Sequence, residues 1–337
     1  MGKMSVGGID GLNWIFVAKG IGISLVVIGH FYPESSPSYL ATVREVIYSF
    51  HMPLFFLLSG YLYSHGKYSY GSLIKGKIER LLYPFISVAL VFFAIKHGAG
   101  RIVKLEHPVG IDAIYTLLVD PINSYMPLLW FVHALFLIFV GYPLIRRYLG
   151  NYLILAALLA FNSFGGNDYP VVGKALAYMS FFVAGVILKE DAMVSSRLIS
   201  QAWWYLLAAT ALFSIVFYAS FSGMLPKYLG YCIKFSLGMI GSLLVMGISK
   251  RISNRARPIP GDMLYSIGYY SMTIYLLHTL FESTVRIGFL QLFRDARIPF
   301  EAIAIVAVLF GIWFPLLLEQ KVFRRYVFTR KYLLGLP

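Results

Sequence analysis

Charged residues are scarce in this chain. Only 13% of its 337 residues are Asp, Glu, Lys or Arg, whereas 59% are hydrophobic. This composition leaves too little polar surface to cover a soluble domain of that size. It excludes an ordinary soluble globular protein and indicates a chain that crosses the membrane several times as helices, because helices satisfy their own backbone hydrogen bonds in lipid.

Cysteine is almost absent as well. The single cysteine, Cys232, lies inside an apolar run, so the chain can form no intramolecular disulfide and no metal site built on several cysteines. Acidic residues are also few, since 15 Asp and Glu stand against 29 Lys and Arg, which gives a formal net charge of +14. Basic loops that face anionic lipid explain this excess, so it does not indicate a nucleic-acid partner.

Long apolar runs are abundant. Most have the length of roughly 17 to 25 residues that crosses a bilayer as a helix, and the best count is ten. We therefore predict an all-α polytopic membrane protein with about ten transmembrane helices, formed by residues 1–337 as a single integral-membrane domain. The runs lie at about residues 12–32, 44–64, 80–97, 127–144, 151–165, 174–189, 203–221, 229–248, 264–282 and 301–319.

The basic residues fix the predicted orientation. Short cytoplasmic loops collect Lys and Arg, and most of the 29 basic residues fall on one side if the N-terminus is cytoplasmic. With ten spans, this predicts an N-in and C-in topology. The lipid bilayer is thus the first expected partner.

Two polar residues end the segment "KGIGISLVVIGH" in the first run. Lys19 and His30 are eleven residues apart, which on a helix is three turns plus roughly 20°, so they share one face about 16 Å apart. The predicted topology places Lys19 at the cytoplasmic boundary and His30 near the outer one. Lys19 could be a snorkelling anchor, and His30 could be either an interfacial histidine or a catalytic one.

Three further histidines are predicted in the outer halves of their spans, namely His51, His133 and His278. Three interpretations compete: scattered interfacial residues, a metal site, or a polar cavity containing a base. A metal site is disfavoured because neither close ligand spacing nor supporting carboxylates are visible, so we expect no metal. A cavity is favoured, with His30 as the foremost candidate for a general base.

Two other features have both a structural and a functional interpretation. Ser59 and Gly60 form a small pair that lets a neighbouring helix or an extended ligand come close. Lys77 and Arg80 are three residues apart at the start of the third run, with Lys75 nearby. They could simply be the positive-inside signal, or they could bind phosphate, for which Arg beside Lys is suitable chemistry.

Several segments, in their order and spacing, resemble integral-membrane acyltransferase family 3, and especially its fucose 4-O-acetylase-like branch. The similarity extends from about residue 14 to 280. Lys19 and His30 at this spacing, together with Phe56 two residues before Ser59-Gly60, are specific in combination. The segments are "AKGIGISLVVIGH", "FHMPLFFLLSGYLY", "KIERLLYP", "LLWFVHALF" and "SMTIYLLH".

The resemblance implies an O-acyltransferase that moves an acyl group, usually acetyl, from cytoplasmic acyl-CoA to a sugar hydroxyl. The donor would be acetyl-CoA, with no permanently bound cofactor. The acceptor would be a glycan or lipid-linked sugar of the cell envelope, such as O-antigen, capsule or exopolysaccharide, and the location a bacterial inner membrane. The oligomeric state is not implied.

The same resemblance assigns roles to particular residues. His30 would be the essential histidine, Lys19 its basic partner, and Lys77 and Arg80 the acyl-CoA-binding pair, while Ser59 and Gly60 belong to the second-helix motif. Beyond the resemblance, our own interpretation of the mechanism is that His51, His133 or His278 orients the base or binds the sugar, and that Trp130 offers a face for pyranose stacking. Aromatic residues also collect at membrane interfaces for other reasons.

The chain departs from the family at two positions. Phe16 stands where an Asp is usual in the first-helix motif, which removes one acidic contact near the inner side. Lys77 stands where an Arg is usual, which retains phosphate binding with fewer forked hydrogen bonds.

Two other functions fit the sequence. A transporter or exporter of a glycan or small solute would also need many helices with intramembrane polar residues, although no two-fold sequence repeat is evident. A non-catalytic subunit of a polysaccharide assembly machine is the third possibility. Only an enzyme requires His30 for acyl transfer.

Overall fold

The computed structural model describes residues 13–31, 37–102, 110, 112–164, 171–199, 202–224, 229–254, 259–292 and 299–336. Helices make up nearly all of this described part, and it contains no strand. The all-α prediction is confirmed. The α-helices are α1 (Asn13–His30), α2 (Ser38–Leu62), α3 (Tyr70–Lys77), α4 (Tyr83–Ile102), α5 (Asp112–Val119), α6 (Trp130–Arg146), α7 (Asn151–Ser163), α8 (Val172–Glu190), α9 (Ala192–Leu198), α10 (Trp203–Phe221), α11 (Gly230–Asn254), α12 (Ile259–Tyr269), α13 (Ser271–Leu292), α14 (Phe300–Leu318) and α15 (Val327–Leu334).

Short non-α turns extend several of these helices. A π-helical turn, Ile78–Leu82, joins α3 to α4, and a second one, Glu319–Phe323, follows α14. Two 3-10 turns, Pro121–Asn123 and Pro127–Leu129, precede α6. The third predicted span therefore begins with a change of helix type inside its basic segment.

Seven helical segments in the described part are long and apolar enough to cross a membrane. They coincide with seven of the ten predicted spans, and the chain is a polytopic membrane protein. The count of ten and the N-in, C-in orientation stay predictions. The segments are Asn13–His30, Tyr70–Gly98, Pro127–Arg146, Val172–Glu190, Trp203–Phe221, Gly230–Asn254 and Phe300–Phe323.

The other three predicted spans differ in detail. The run at 151–165 forms a helix of 13 residues, α7, and most of the run at 44–64 belongs to the 25-residue α2, which begins at Ser38 and ends at Leu62. The run at 264–282 is divided between α12 and α13 at Tyr270. Helical hydrogen bonds continue on both sides of this division, because the Tyr270 amide donates to Ser266 and the Ile274 amide donates to Tyr270.

The helix α10 shows most clearly that the surroundings are lipid. Of its 19 residues, all of which the structure describes, Leu206 is the single buried one. Trp203 and Trp204, at its start, are 60% and 72% exposed. A helix that is mostly apolar around its circumference and exposes most of its residues is stable in hydrocarbon and not in water.

The chain divides into two compact units. The first unit holds α1, α2 as far as Leu58, α9, α10, α11 from Ile233, α12, α13 and α14 as far as Leu317. The second unit holds the end of α2 from Ser59, α3 to α8, the start of α11 and α15. Each unit is described on its own, and the single-domain prediction for residues 1–337 stays a prediction.

In the first unit, α1 lies against its neighbours through glycines. A Cβ atom at Gly20 would overlap the carbonyl of Leu264 on α12, and one at Gly268 would overlap the carbonyl of Phe16. On α2, the atoms Leu54 Cδ2 and Phe55 Cζ lie only 3.0 and 3.1 Å from the position of a Cβ at Gly22. Small residues at these positions let the helix backbones approach closely.

In the second unit, a polar network links the ends of α6, α7 and α8. Tyr142 donates a 2.8 Å hydrogen bond to Oδ1 of Asn151, whose Nδ2 donates at 2.7 Å to Glu190. Arg146 lies 3.9 Å from the same carboxylate. Because Tyr142 and Asn151 are buried, these partners remove the cost of enclosing polar groups.

Replacing Gly268 with Ala should destabilise the protein, because the new methyl group would overlap the α1 backbone. We expect a loss of about 1–3 kcal/mol or more, typical of overpacked sites. The measurement is thermal unfolding of the full chain in detergent.

Gly288→Ala is the matched control, since a Cβ at that helical position meets nothing within 4 Å. Its melting temperature should equal or slightly exceed that of the wild type, because Ala favours a helix over Gly. Equal melting temperatures for the two variants would contradict the close α1–α12 contact.

Candidate active site

His30 is the last residue of α1, where the helix meets α2. The preceding residue, Gly29, has no side chain, and a Cβ there would lie 2.9 Å from Cε1 of Tyr48 on α2. The hydroxyl of Tyr48 donates to the carbonyl of Gly29 at 3.1 Å and lies 3.2 Å from Nδ1 of His30. The chain therefore brings a tyrosine from α2 to the predicted catalytic histidine.

His51 lies one turn further along α2. Its ring centroid is 5.0 Å from that of Tyr48, and its side chain is 4% exposed. Nδ1 of His51 donates a 2.8 Å hydrogen bond to the carbonyl of Ile47, one turn back. Because a carbonyl can only accept, the hydrogen of the neutral ring is on Nδ1 and the lone pair is on Nε2.

His278 on α13 comes from a distant part of the sequence to the same place. The centroid of its ring lies 5.4 Å from that of His30, and its side chain is fully buried. Nδ1 donates to the carbonyls of Ile274 and Tyr275 at 3.0 and 2.9 Å. Nε2 is buried and finds no hydrogen-bond partner among the described residues.

Glu282 lies one helical turn after His278 and was not predicted as a site residue. Its side chain is 4% exposed, and Oε1 is buried without a hydrogen-bond partner in the described part of the chain. Its Cγ atom would be 2.9 Å from a Cβ at Gly311, so the carboxyl group lies against α14. The sequence does contain a signal for this residue. In the apolar segment "YLLHTLFE", a Glu follows a His by four residues, which places both on one face of a helix.

These residues define the candidate active site as His30, Tyr48, His51, His278 and Glu282, all in the first unit. Three of the four predicted histidines, His30, His51 and His278, lie together here, and the cavity stays a prediction. The site contains acceptor atoms without donors, an unfavourable arrangement inside a membrane protein unless a ligand supplies hydrogen bonds. No group of three or more metal-binding side chains occurs in the described residues.

His133 and Trp130, also predicted near the acceptor, belong to the second unit. The ring of His133 lies edge-on to Phe85, with centroids 4.9 Å apart, and its buried Nδ1 has no partner among the described residues. The ring of Trp130 lies 5.2 Å from Tyr178, and the Lys174 ammonium lies 4.7 Å from its centre. Their roles stay predictions.

The remaining predicted residues lie in three places. Lys19, on α1, is partly buried, with its ammonium 5.6 Å from the centre of the Phe16 ring. Phe16 is the residue that replaces the family's usual Asp, so this departure substitutes an aromatic face for a carboxylate beside the lysine. Gly60 packs directly on the carbonyl of Phe182, which makes helix packing its observed role, and Ser59 is partly buried.

The predicted basic residues Lys75, Lys77 and Arg80 lie in the second unit, where α3 is followed by a π-helical turn. Lys77 ends α3, and its ammonium lies 3.5 Å from the centre of the Phe139 ring. Arg80 lies in the π-helical turn and is exposed, as is Lys75. No carboxylate of the described residues lies within 4 Å of Arg80. Arg80 and Lys75 are thus accessible cations, whereas Lys77 packs inward.

Comparison with known proteins identifies the class. The profile of a family described as an acyltransferase domain matches residues 12–318, which is most of the chain. Together with its apolar helices, this match makes the protein an integral-membrane member of an acyltransferase family. The chain belongs to acyltransferase family 3, as its first-, second- and third-span motifs indicated.

A similar individual protein matches only part of the chain. Nodulation protein NolL of Mesorhizobium japonicum is 34% identical over 131 residues, a match that covers 36% of this chain and 33% of the relative. The chain therefore aligns with about a third of that protein's length. No solved structure matches the chain.

Replacing Glu282 with Met should raise thermal stability. The two side chains are similar in size, and the substitution removes a buried carboxyl group whose Oε1 has no donor. We expect a gain of about 1–2 kcal/mol, typical of replacing an unsatisfied buried polar atom. Thermal unfolding in detergent measures it, with Glu282→Gln as the variant that keeps a polar group. A loss of stability in the Met variant would show that Glu282 is a structural residue.

Proposed function

We propose that the protein transfers an acyl group, acetyl in the simplest case, from cytoplasmic acyl-CoA to a hydroxyl of a cell-envelope or exported glycan. O-antigen, capsule and exopolysaccharide are the candidate acceptor classes, polymeric or lipid-linked, in a bacterial inner membrane. The observation that carries the proposal is the group of three histidines and a carboxyl group in the first unit of a family 3 acyltransferase.

A hydroxyl-rich acceptor suits the hydrogen bonds that this site lacks. Nε2 of His278 can only accept in the neutral ring, because Nδ1 donates to the carbonyls of Ile274 and Tyr275. Oε1 of Glu282 can accept as well. Sugar hydroxyls are donors, so an acceptor glycan would satisfy both buried atoms, whereas an apolar ligand would leave them unpaired.

The proposed reaction uses His30 as general base. Nε2 of His30 takes the proton of the acceptor hydroxyl while the hydroxyl oxygen attacks the thioester carbon of acyl-CoA. The new carbon–oxygen bond forms, the carbon–sulfur bond breaks, and the leaving thiolate takes the proton from the imidazolium. The histidine returns to its neutral form, and the products are the O-acyl sugar and free CoA.

The proposed donor contacts lie in the second unit. Arg80 and Lys75 are exposed and suited to the phosphates of CoA, with Lys77 adding positive charge from the adjacent turn. Lys19 is proposed as the basic partner on the α1 face that also carries His30. The distance of about 16 Å along that face is comparable with the length of an extended pantetheine arm.

His30→Ala should abolish transfer of acetyl from acetyl-CoA to the acceptor glycan. We expect the turnover rate to fall about 10²- to 10⁴-fold, the usual contribution of a general base, with donor binding retained. O-acetylation of envelope glycan in cells lacking the native protein is measured by mass spectrometry. The exposed His65, replaced with Ala, is the control. Full activity of His30→Ala would refute the mechanism, and no mass change with the wild type would favour a transporter.

Arg80→Gln should weaken acetyl-CoA binding without changing the folded state. A lost charge-assisted hydrogen bond of about 1.5–3 kcal/mol corresponds to roughly a 10- to 100-fold higher Kd. Calorimetry with the purified protein measures this change. Arg147→Gln, which removes another exposed cation from the second unit, should bind the donor normally. Equal affinities of the two variants would exclude Arg80 from the donor site.

A further inference from the structure

The carbonyl of Gly29 needs a donor from outside its own helix. Because α1 ends at His30, this carbonyl is one of the last four of the helix, which have no amide partner within it. The hydroxyl of Tyr48 on α2 supplies the donor at 3.1 Å. A tyrosine hydroxyl has a single hydrogen, so this bond uses it.

The second contact of the same hydroxyl then has a defined direction. Nδ1 of His30 lies 3.2 Å from Oη of Tyr48, which has already given its hydrogen to Gly29. The contact is a hydrogen bond only if Nδ1 carries the hydrogen and donates it to the tyrosine oxygen. A neutral imidazole has one N–H group, so Nε2 of His30 carries the lone pair.

We infer that Tyr48 is the positioning residue that holds His30 in the tautomer whose Nε2 can accept a proton. The inference rests on the proposed role of His30 as general base and adds the group that prepares that base. Tyr48 touches neither reacting atom in this scheme and acts through His30. A carboxylate serves the same purpose in Ser-His-Asp enzymes, where loss of the correct tautomer greatly lowers the rate.

His30 depends on another helix for its orientation, whereas the two neighbouring histidines do not. His51 and His278 donate from Nδ1 to backbone carbonyls of their own helices, one turn back. Such bonds form wherever a helix carries a suitably placed histidine. The Nδ1 partner of His30 is a side chain from α2, so the tautomer of His30 is decided by tertiary packing.

Two contacts hold the tyrosine ring in place. The guanidinium carbon of Arg44, one turn before Tyr48 on α2, lies 4.8 Å from the ring centroid, a favourable cation–π distance. The second contact is with Gly29 on α1. A Cβ atom at this position would lie 2.9 Å from Cε1 of the Tyr48 ring, so the ring occupies space that the glycine leaves open. This contact gives a reason for the glycine directly before His30.

The same bond is compatible with the protonated state of His30. When Nε2 takes a proton, Nδ1 remains a donor, and the oxygen of Tyr48 still accepts from it. No group has to rotate between the neutral and the protonated ring. Pre-arranged partners of this kind lower the cost of charge formation during proton transfer.

The tautomer can be read directly from nitrogen-15 NMR spectra of the full chain in lipid nanodiscs, with ¹⁵N-labelled histidine. His30→Ala identifies the His30 signals by their loss. In the wild type at a pH where the ring is neutral, we expect hydrogen on Nδ1 and an unprotonated Nε2. A hydrogen on Nε2 in the wild type would overturn the inference, and this result needs no activity assay.

Tyr48→Phe is the test variant, because it removes the oxygen that accepts from Nδ1 and keeps the ring. We expect the Nδ1–H tautomer of His30 to lose its dominance, and the turnover rate to fall at least about tenfold, within the range of a general base. The apparent KM for acetyl-CoA should stay unchanged. An unaltered tautomer in this variant would overturn the inference.

Tyr39→Phe is the matched control on the same helix. Its hydroxyl donates to Glu301 at 2.7 Å and not to a histidine, so the tautomer and turnover rate should equal those of the wild type. Gly29→Ala, whose methyl group would displace the Tyr48 ring, should reproduce the effect of Tyr48→Phe. Two results together would separate the proposals. If His30→Ala is inactive while Tyr48→Phe is fully active and its His30 tautomer is unchanged, His30 remains the proposed general base and the positioning role of Tyr48 is refuted.

Discussion

The first unit depends on how closely other helices approach α1. Gly20 and Gly22 lie where α12 and α2 would otherwise meet a side chain, and Gly29 lies where the Tyr48 ring packs. In a bilayer no hydrophobic force between helices compensates for a poor fit, so close van der Waals contact carries the association. The position of His30 follows, because it is the residue directly after Gly29 at the end of this tightly packed helix.

A second constraint acts on the polar groups that this packing encloses. Hydrocarbon supplies no hydrogen bonds, so each enclosed polar atom needs a partner from the protein or a ligand. In the second unit, the network of Tyr142, Asn151 and Glu190 supplies such partners, although Nδ1 of His133 lacks one among the described residues. In the first unit, Nε2 of His278 and Oε1 of Glu282 are buried without a partner in the described part of the chain, one helical turn apart on α13. A ligand with hydrogen-bond donors could satisfy both of these atoms at once.

Helices were predictable from the sequence because length and apolar composition decide whether a segment crosses a bilayer. The interruption at Tyr270 was not, since the apolar run at 264–282 continues through it without a proline. The change from α- to π-helix between Lys77 and Arg80 was not predictable either. A spacing of three residues would place Lys77 and Arg80 on one face of an α-helix. In the structure Lys77 packs on Phe139 and Arg80 is exposed, and the turn between them is π-helical.

The sequence by itself determined the membrane class and the family, and it singled out His30 as the candidate base. These depend on composition and on residues close together in the chain, such as Lys19 and His30. Tertiary structure decided that His51 and His278 lie beside His30, that Tyr48 bonds to its Nδ1, and that Glu282 joins them. His30, Tyr48 and His278 lie on three different helices, and their proximity arises from the packing of α1, α2 and α13. Spacing along one helix carries no information about which faces of three helices meet.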